Sequence, residues 1–218
     1  EQLDAYELGT KLTLFNGRMQ LNPSLFYYDY KDKQLLTRTR DPIFGPLPIL
    51  ANAPKSEVLG AEIELQLNPV DPLFLSASVS YLDTEVKEFI SGGSDGRAFD
   101  FAGLPFNYTS EWSYTLLASL TLPVSDALDL MVGADYSYRD GTNATLDQDP
   151  LFEISDYDLI NARIGIQRRD GAWSITSWGR NLADEYYVTN VVAPTDSVAR
   201  YTGMPETYGL SFTYNALP

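Results

Sequence analysis

The sequence has no cysteine and no histidine among its 218 residues. Without cysteine there is no disulfide, no thiolate nucleophile and no sulfur ligand for a metal. Without histidine the commonest general base and metal ligand is missing. No apolar run approaches the roughly 18 residues that a membrane-spanning helix needs. Positive charge is also scarce: 15 Lys and Arg stand against 30 Asp and Glu, a net charge of −15. Phosphate binding needs a basic surface, so this balance argues against a nucleic-acid partner. The opening Glu1-Gln2-Leu3-Asp4 is neither basic nor apolar and is not a signal peptide. Either a signal has been removed or the chain begins inside a larger protein.

What is present is a period of two. Hydrophobic residues make up 44% of the chain, too many for disorder by composition. From Leu128 to Arg139, Leu128, Leu130, Val132, Ala134, Tyr136 and Tyr138 share one face, and Asp129, Met131, Gly133, Asp135, Ser137 and Arg139 the other. A strand separates these sets; a helix mixes them. The split recurs at 59–67, 73–81, 111–122, 160–167 and 207–214. It is looser near Tyr6–Phe15 and Arg18–Tyr30, and loosest near Trp173–Arg180. About nine strands result, most of about 9–12 residues, which suits a tilted membrane strand better than the soluble mode of 5–6.

Short and long connections alternate. Asn16-Gly17 is a two-residue hairpin signal, and Pro69–Pro72, Pro123–Ala127 and Arg169–Ala172 are short. The Pro-rich link Asp41–Pro54 and the segments Glu85–Pro105, Thr142–Asp156 and Ala183–Pro205 are long. All short turns therefore fall at one end of the sheet, as in outer-membrane barrels. Pro23 lies inside a strand without a ladder donor and predicts a bulge or a gap in pairing.

Alternation alone does not say which face is buried. In a soluble β-sandwich the apolar face turns inward; in a membrane barrel it meets lipid. Strand length, one-sided loops and aromatic residues at the stripe ends (Trp112, Tyr114, Tyr136, Tyr138, Tyr208) favour lipid. Glu62, Glu64, Glu111, Asp129, Asp135 and Arg163 then line the lumen. Asp158 is the exception, near the loop end, where a charge costs little.

Candidate sites are few. Asp147-Gln148-Asp149 and Ser94-Asp95-Gly96 suggest a calcium loop but lack full EF-hand spacing, so solvated acidic loops are expected. Glu62 and Glu64 lie on one strand face without a partner acid, which is lumen lining rather than catalysis. The sequons at Asn107 and Asn143 read as chance matches, and Gly17 and Gly171 as turn glycines. Arg180, near the mouth, is a candidate for an anionic ligand, although a structural pair with a carboxylate is the plainer expectation. Trp178, Tyr186, Tyr187 and Tyr201 lie in or beside the longest late loop, where aromatic rings offer contact area at low entropy cost. Girdle and loop packing is the alternative. No catalytic residue, metal site or cofactor is expected.

Several segments resemble the carboxy-terminal barrel of TonB-dependent outer-membrane receptors. They are Tyr6-Glu7-Leu8-Gly9-Thr10-Lys11, Phe26-Tyr27-Tyr28-Asp29-Tyr30-Lys31-Asp32, Gly60-Ala61-Glu62-Ile63-Glu64, Tyr81-Leu82-Asp83-Thr84 and Gly103-Leu104-Pro105-Phe106-Asn107. Gly179-Arg180-Asn181-Leu182-Ala183-Asp184-Glu185-Tyr186-Tyr187 and Pro205-Glu206-Thr207-Tyr208-Gly209 follow, with Glu206 where the family usually has Arg. The end, Asn215-Ala216-Leu217-Pro218, departs from the family's terminal aromatic. The resemblance implies an all-β, antiparallel up-and-down transmembrane barrel of about 22 strands around an amino-terminal plug. Residues 1–218 match only its carboxy-terminal portion, without the plug. It further implies energised uptake of a ferric siderophore or similar nutrient through the bacterial outer membrane. The implied partners are lipid and lipopolysaccharide, the remaining strands and plug, and a TonB-type energy transducer reached through the missing amino-terminal part. A passive porin-like barrel and a soluble sandwich binding module are the competing functions. Both edge strands need completion by further strands, because an unpaired backbone group in lipid costs several kcal/mol.

Overall fold

Strict alternation of β-forming residues makes strands, and the computed structural model, which describes residues 1–193 and 197–215, is built mainly of them, with one 3-10 turn at Pro150–Phe152. In chain order they are β1 (Gln2–Gly9), β2 (Leu12–Leu14), β3 (Met19–Asp41), β4 (Gly45–Val70), β5 (Leu73–Glu88), β6 (Ile90–Gly92), β7 (Ala98–Asp100) and β8 (Trp112–Pro123). Then come β9 (Leu128–Arg139), β10 (Thr142–Asn143), β11 (Glu153–Ile154), β12 (Tyr157–Arg168), β13 (Trp173–Arg180), β14 (Val188–Val192), β15 (Ala199–Thr202) and β16 (Thr207–Tyr214). One sheet runs in the order β1-β3-β4-β5-β8-β9-β12-β13-β16, with β2 beside β3. With β1 and β2 taken as one interrupted strand, its ten strands fill nine positions. The two edges do not meet, so among the described residues the sheet is open.

Register assigns the faces. Leu12, Leu21, Leu65, Ala77, Leu116, Tyr136 and Ile160 form one row across seven strands. On the opposite face Asn22, Glu64, Ser78, Thr115 and Ser137 form another. The apolar face is uncovered: Leu8 is 75% exposed, Ile164 54% and Leu210 74%. A sandwich would bury that face under a second sheet about 10 Å away. The other sheets here are two-stranded hairpins. Instead the main buried cluster, with Leu35, Val58, Val86, Phe89, Phe101 and Phe106, gathers at the long-loop end.

The connections alternate as expected. Phe15–Arg18, Asp71-Pro72, Val124–Ala127 and Arg169–Ala172 close one end, and Gly17 and Gly171 take positive φ there. The first turn differs in detail. Leu14 still pairs with Met19, so the loop has four residues, and Phe15 and Asn16 take the left-handed conformation ahead of Gly17. Pro23 does open a gap. β1 stops at the pair Gly9–Ser24 and β2 resumes at Leu12–Leu21 in unchanged register. The Thr10 amide still donates to the Pro23 carbonyl at 3.1 Å, but Pro23 has no N–H to return.

The larger correction concerns Asp41–Pro54, which is a hairpin and not a loop. β3 and β4 stay paired up to Asp41–Gly45, and are 23 and 26 residues long rather than 9–12. β1 reaches only Lys31, and β5 only Lys55. The hairpin therefore projects roughly 30 Å beyond its neighbours, at about 3.4 Å per residue. Pro46 and Pro48 sit at alternate positions of β4, so both nitrogens face the same edge, and the ladder to β3 survives because that edge is open. Likewise β5 runs to Glu88, into what composition marks as loop. Ala216–Pro218, where the departure from a terminal aromatic was noted, lie outside the described residues.

Two outcomes test this architecture. Ile164→Lys, on the uncovered apolar face, is expected to cost about 2–4 kcal/mol in the full receptor folded into bilayers, and Ser119→Lys, on the polar face, much less. Denaturant titration in lipid vesicles measures both; equal costs would reverse the face assignment. The second outcome concerns the projecting tip. The Asp41 carboxylate accepts the amides of Ile43 (2.8 Å) and Phe44 (2.9 Å). The Phe44 bond, then the Ile43 bond, hold the Asp41 pKa below its ordinary value. A lowered carboxylate pKa stabilises the tip at neutral pH, and that stabilisation fades as pH falls through the lowered value. Amide exchange at Ile43 and Phe44, corrected for intrinsic rates, should quicken on acidification, and Asp41→Asn should remove the pH dependence.

Candidate functional site

The long connections are not loose. β6 and β7 pair with each other, β10 with β11, and β14 with β15. The projecting β3–β4 hairpin carries the first of these: Thr37 and Ser91 share a hydroxyl bond at 3.0 Å. Gly92 lies so close to the Arg38 carbonyl that a Cβ there would meet it at 1.6 Å. Next, the Ser94 amide donates to Asp147 (2.5 Å) and its hydroxyl to Asp149 (2.8 Å). The Tyr108 hydroxyl donates to Asn190 (2.7 Å), and Arg200 donates to the Leu151 carbonyl (2.9 Å). Burial pushes the Tyr108 phenol pKa up. Together with the apolar cluster of Ala144, Phe152, Ile154 and Val191, these contacts join the long connections into one cap.

The cap brings together the two acidic motifs, but as anchors. Asp147 and Asp149 serve Ser94, and among the described residues no group of three or more His, Cys, Asp or Glu gathers to hold a metal. Asn143 is buried and its amide donates to the Asp149 carbonyl at 2.8 Å, so that sequon is internal.

Most of the predicted polar residues fall on the face opposite the apolar belt. Glu64 accepts from Asn22 at 3.5 Å, and Asp135 from Asn161 at 2.6 Å. Asp129 takes the Arg169 guanidinium at 2.9 Å beside a short turn. Glu111 immediately precedes β8, outside the wall strands. Arg163 lies over Gly133, where a Cβ would come within 2.8 Å of its Nε. Trp178 and Arg180 belong to β13 rather than to a loop. Trp178 is the register partner of Arg163, donates to Ser211 at 3.0 Å and covers Gly209. Arg180 stacks over the Trp178 ring at 5.1 Å, and among the described residues it has no carboxylate partner, contrary to the plainer expectation. Phe26 repeats the arrangement over Gly60. In each case a bulky side chain lies flat along the wall because its cross-strand neighbour lacks a Cβ.

The loop tyrosines divide. Tyr187 stacks on Tyr157 at 4.6 Å, and its ring fills the space beside Gly203, so it is a packing residue. Tyr186 (76% exposed) and Tyr201 (56%) stand free on the surface.

Two features escaped the sequence reading. Asn181, in a left-handed conformation and 3% exposed, is a staple. Its amide donates to the carbonyls of Glu185 (2.9 Å) and Met204 (3.1 Å), and its carbonyl accepts the Glu185 amide (2.9 Å). Its own backbone N–H is held by Asn161 at 2.9 Å, tying both ends of the connection 181–206 to the wall. The second feature is a groove of about 510 Å³ whose lining includes Phe26, Tyr28, Tyr30, Glu7, Glu62 and Phe106. Its signal was the alternating aromatics of Phe26-Tyr27-Tyr28-Asp29-Tyr30, which present one set of rings to each face.

Removing the staple tests its role. Asn181→Ala deletes three side-chain hydrogen bonds of a residue that is itself buried, at about 1–3 kcal/mol. Limited proteolysis should then cut between residues 183 and 205 several-fold faster, with the wall still resistant. An unchanged cleavage rate would leave Asn181 without a stapling role.

Residues 1–182 match the family model described as TonB dependent receptor-like, beta-barrel. The chain is 26% identical over 208 residues to the ferric-pyoverdine M114 receptor PbuA of Pseudomonas sp. (strain M114), covering 95% of this chain and 24% of that protein. Its fold matches the ferric yersiniabactin uptake receptor FyuA of Yersinia pestis with a TM-score of 0.76 at 18% identity, over 96% of this chain and 29% of that one. It also matches the siderophore receptor PiuA of Acinetobacter baumannii, with a TM-score of 0.74 at 21% identity over 96% and 28%. The chain thus spans about a quarter of the length of these relatives.

Proposed function

Because the chain belongs to the TonB-dependent receptor β-barrel family, whose members are outer-membrane proteins, we propose that it forms nine strands of wall and part of the mouth of a receptor for energised uptake of a ferric siderophore. The observation that carries this is the division of one open sheet. An uncovered apolar belt occupies one face, and the other is polar and roofed at one end by interlocked connections. The belt meets lipid, and just beyond it Lys31, Lys55 and Lys87, which pair with Asp4 and Glu57, offer cations to the lipopolysaccharide headgroups. Glu62, Glu64, Asp135 and Arg163 line the lumen. Further strands complete both edges, and a plug reached by the inner-membrane transducer fills the barrel. The work is transport, and no residue is assigned a catalytic role.

In this reading Tyr186 and Tyr201 face the arriving cargo, with Trp178 and Arg180 below them on the luminal wall. Ferric pyoverdine, the ligand named for the curated relative, is the first probe. In the full receptor, Tyr186→Ala with Tyr201→Ala should weaken binding about tenfold, the scale of losing two exposed aromatic contacts. Tyr187 is left intact because its loss would disturb packing. Unchanged affinity at normal surface expression removes the contact role. Uptake should also stop in cells lacking the transducer; uptake that persists there describes a passive pore.

A further inference from the structure

Phe26, Tyr28 and Tyr30 occupy alternate positions of β3 and ladder along the polar face. The Phe26 and Tyr28 centroids are 5.1 Å apart and stacked, and Tyr30 meets Tyr28 edge-on at 6.5 Å. Phe106, from the connection between β7 and β8, also lines this groove. The rings already hold one cation: the Lys33 ammonium lies 4.2 Å from the Tyr30 centroid and 5.1 Å from that of Phe106. The lower half of the ladder has carboxylates instead. The Tyr28 hydroxyl donates to Glu7 at 2.5 Å. Glu62, also in the lining, has neither an ion pair nor a hydrogen bond among the described residues. No arginine lines the groove. Its height is set by register. Tyr28 pairs with Val58 one step beyond Tyr27, whose ring stacks with Tyr6 on the lipid side. The groove therefore lies at the height where the wall leaves the membrane, beneath the buried cluster of the long-loop end.

A π-face flanked by two carboxylates attracts an ammonium or guanidinium group and repels an anion. We infer that this groove takes the cationic part of the incoming chelate, so that the receptor selects positively charged ferric complexes over anionic ones. This rests on the uptake function proposed above and adds the charge class of the cargo.

The test uses the full receptor, purified in detergent, and two probes of opposite charge. One is a ferric trihydroxamate bearing a free ammonium, a monocation; the other is a ferric tris-catecholate, a trianion. Tryptophan fluorescence titration should show the cation bound at least about tenfold more tightly. Glu7→Gln with Glu62→Gln, which preserves shape and the Tyr28 contact, should abolish that preference, and Phe26→Leu should weaken cation binding alone. Equal or tighter binding of the trianion, or a preference unchanged in the double variant, overturns the charge selection and leaves the uptake function standing. If a folded receptor binds neither probe and supports uptake of no ferric chelate, both fall together.

Discussion

In hydrocarbon a backbone N–H or C=O has no water to bond with, and each one left unpaired costs several kcal/mol. That constraint organises this chain. It makes the wall a continuous antiparallel ladder, with polar atoms consumed between strands. It also frees the side chains from the usual duty of building an interior. The leucines and isoleucines of the apolar face, Leu8, Ile164 and Leu210 among them, are left exposed. Hydrophobic burial in the ordinary sense is displaced to the roof, where Val86, Phe101 and Val191 are almost fully enclosed. The wall is held by backbone pairing, and the cap by a small conventional core.

The two regimes meet through glycine and asparagine. On the polar face, Phe26, Arg163 and Trp178 lie flat over Gly60, Gly133 and Gly209, so large side chains line the wall without closing the space it encloses. A Cβ at any of the three would lift the side chain off the wall. At the rim, Asn181 spends its amide and its backbone donor in binding a 26-residue connection at both ends (residues 181 to 206). The cap is consequently preorganised. Ser94, Tyr108 and Arg200 tie three long connections to one another by hydrogen bonds.

The wall was legible because its signal is local and periodic. Strand faces, the count of nine positions, the one-sided turns and the gap at Pro23 all follow from neighbours two residues apart or from a missing donor. The hairpin beyond Lys31 was not legible, since Pro46, Pro48 and Pro54 mark a loop to any reader of composition. They are tolerated only because no third strand pairs there, a fact about β5 and not about the prolines. The groove was hidden for a related reason. Phe26 and Glu7 are read as strand residues one at a time, and only cross-strand register places the carboxylate beside the ring ladder. The placement of Arg180 failed in a simpler way: a nearby carboxylate was expected by charge, and an aromatic face on the same strand, two residues away, was the nearer partner.

The open edges carry the remaining weight. β16 contributes eight residues and, among the described residues, pairs only with β13. About half of its N–H and C=O groups point away from that partner, roughly eight groups in all. At a few kcal/mol each in lipid, this one edge would cost more than the roughly 5–15 kcal/mol by which a whole domain is stable. The β1–β2 edge adds a comparable debt. A wall of nine strands is therefore not a smaller barrel but an arc, and the alternation that makes its outer face lipid-compatible works only once other strands complete the ring. The rim described here stands in the membrane only as part of a closed wall.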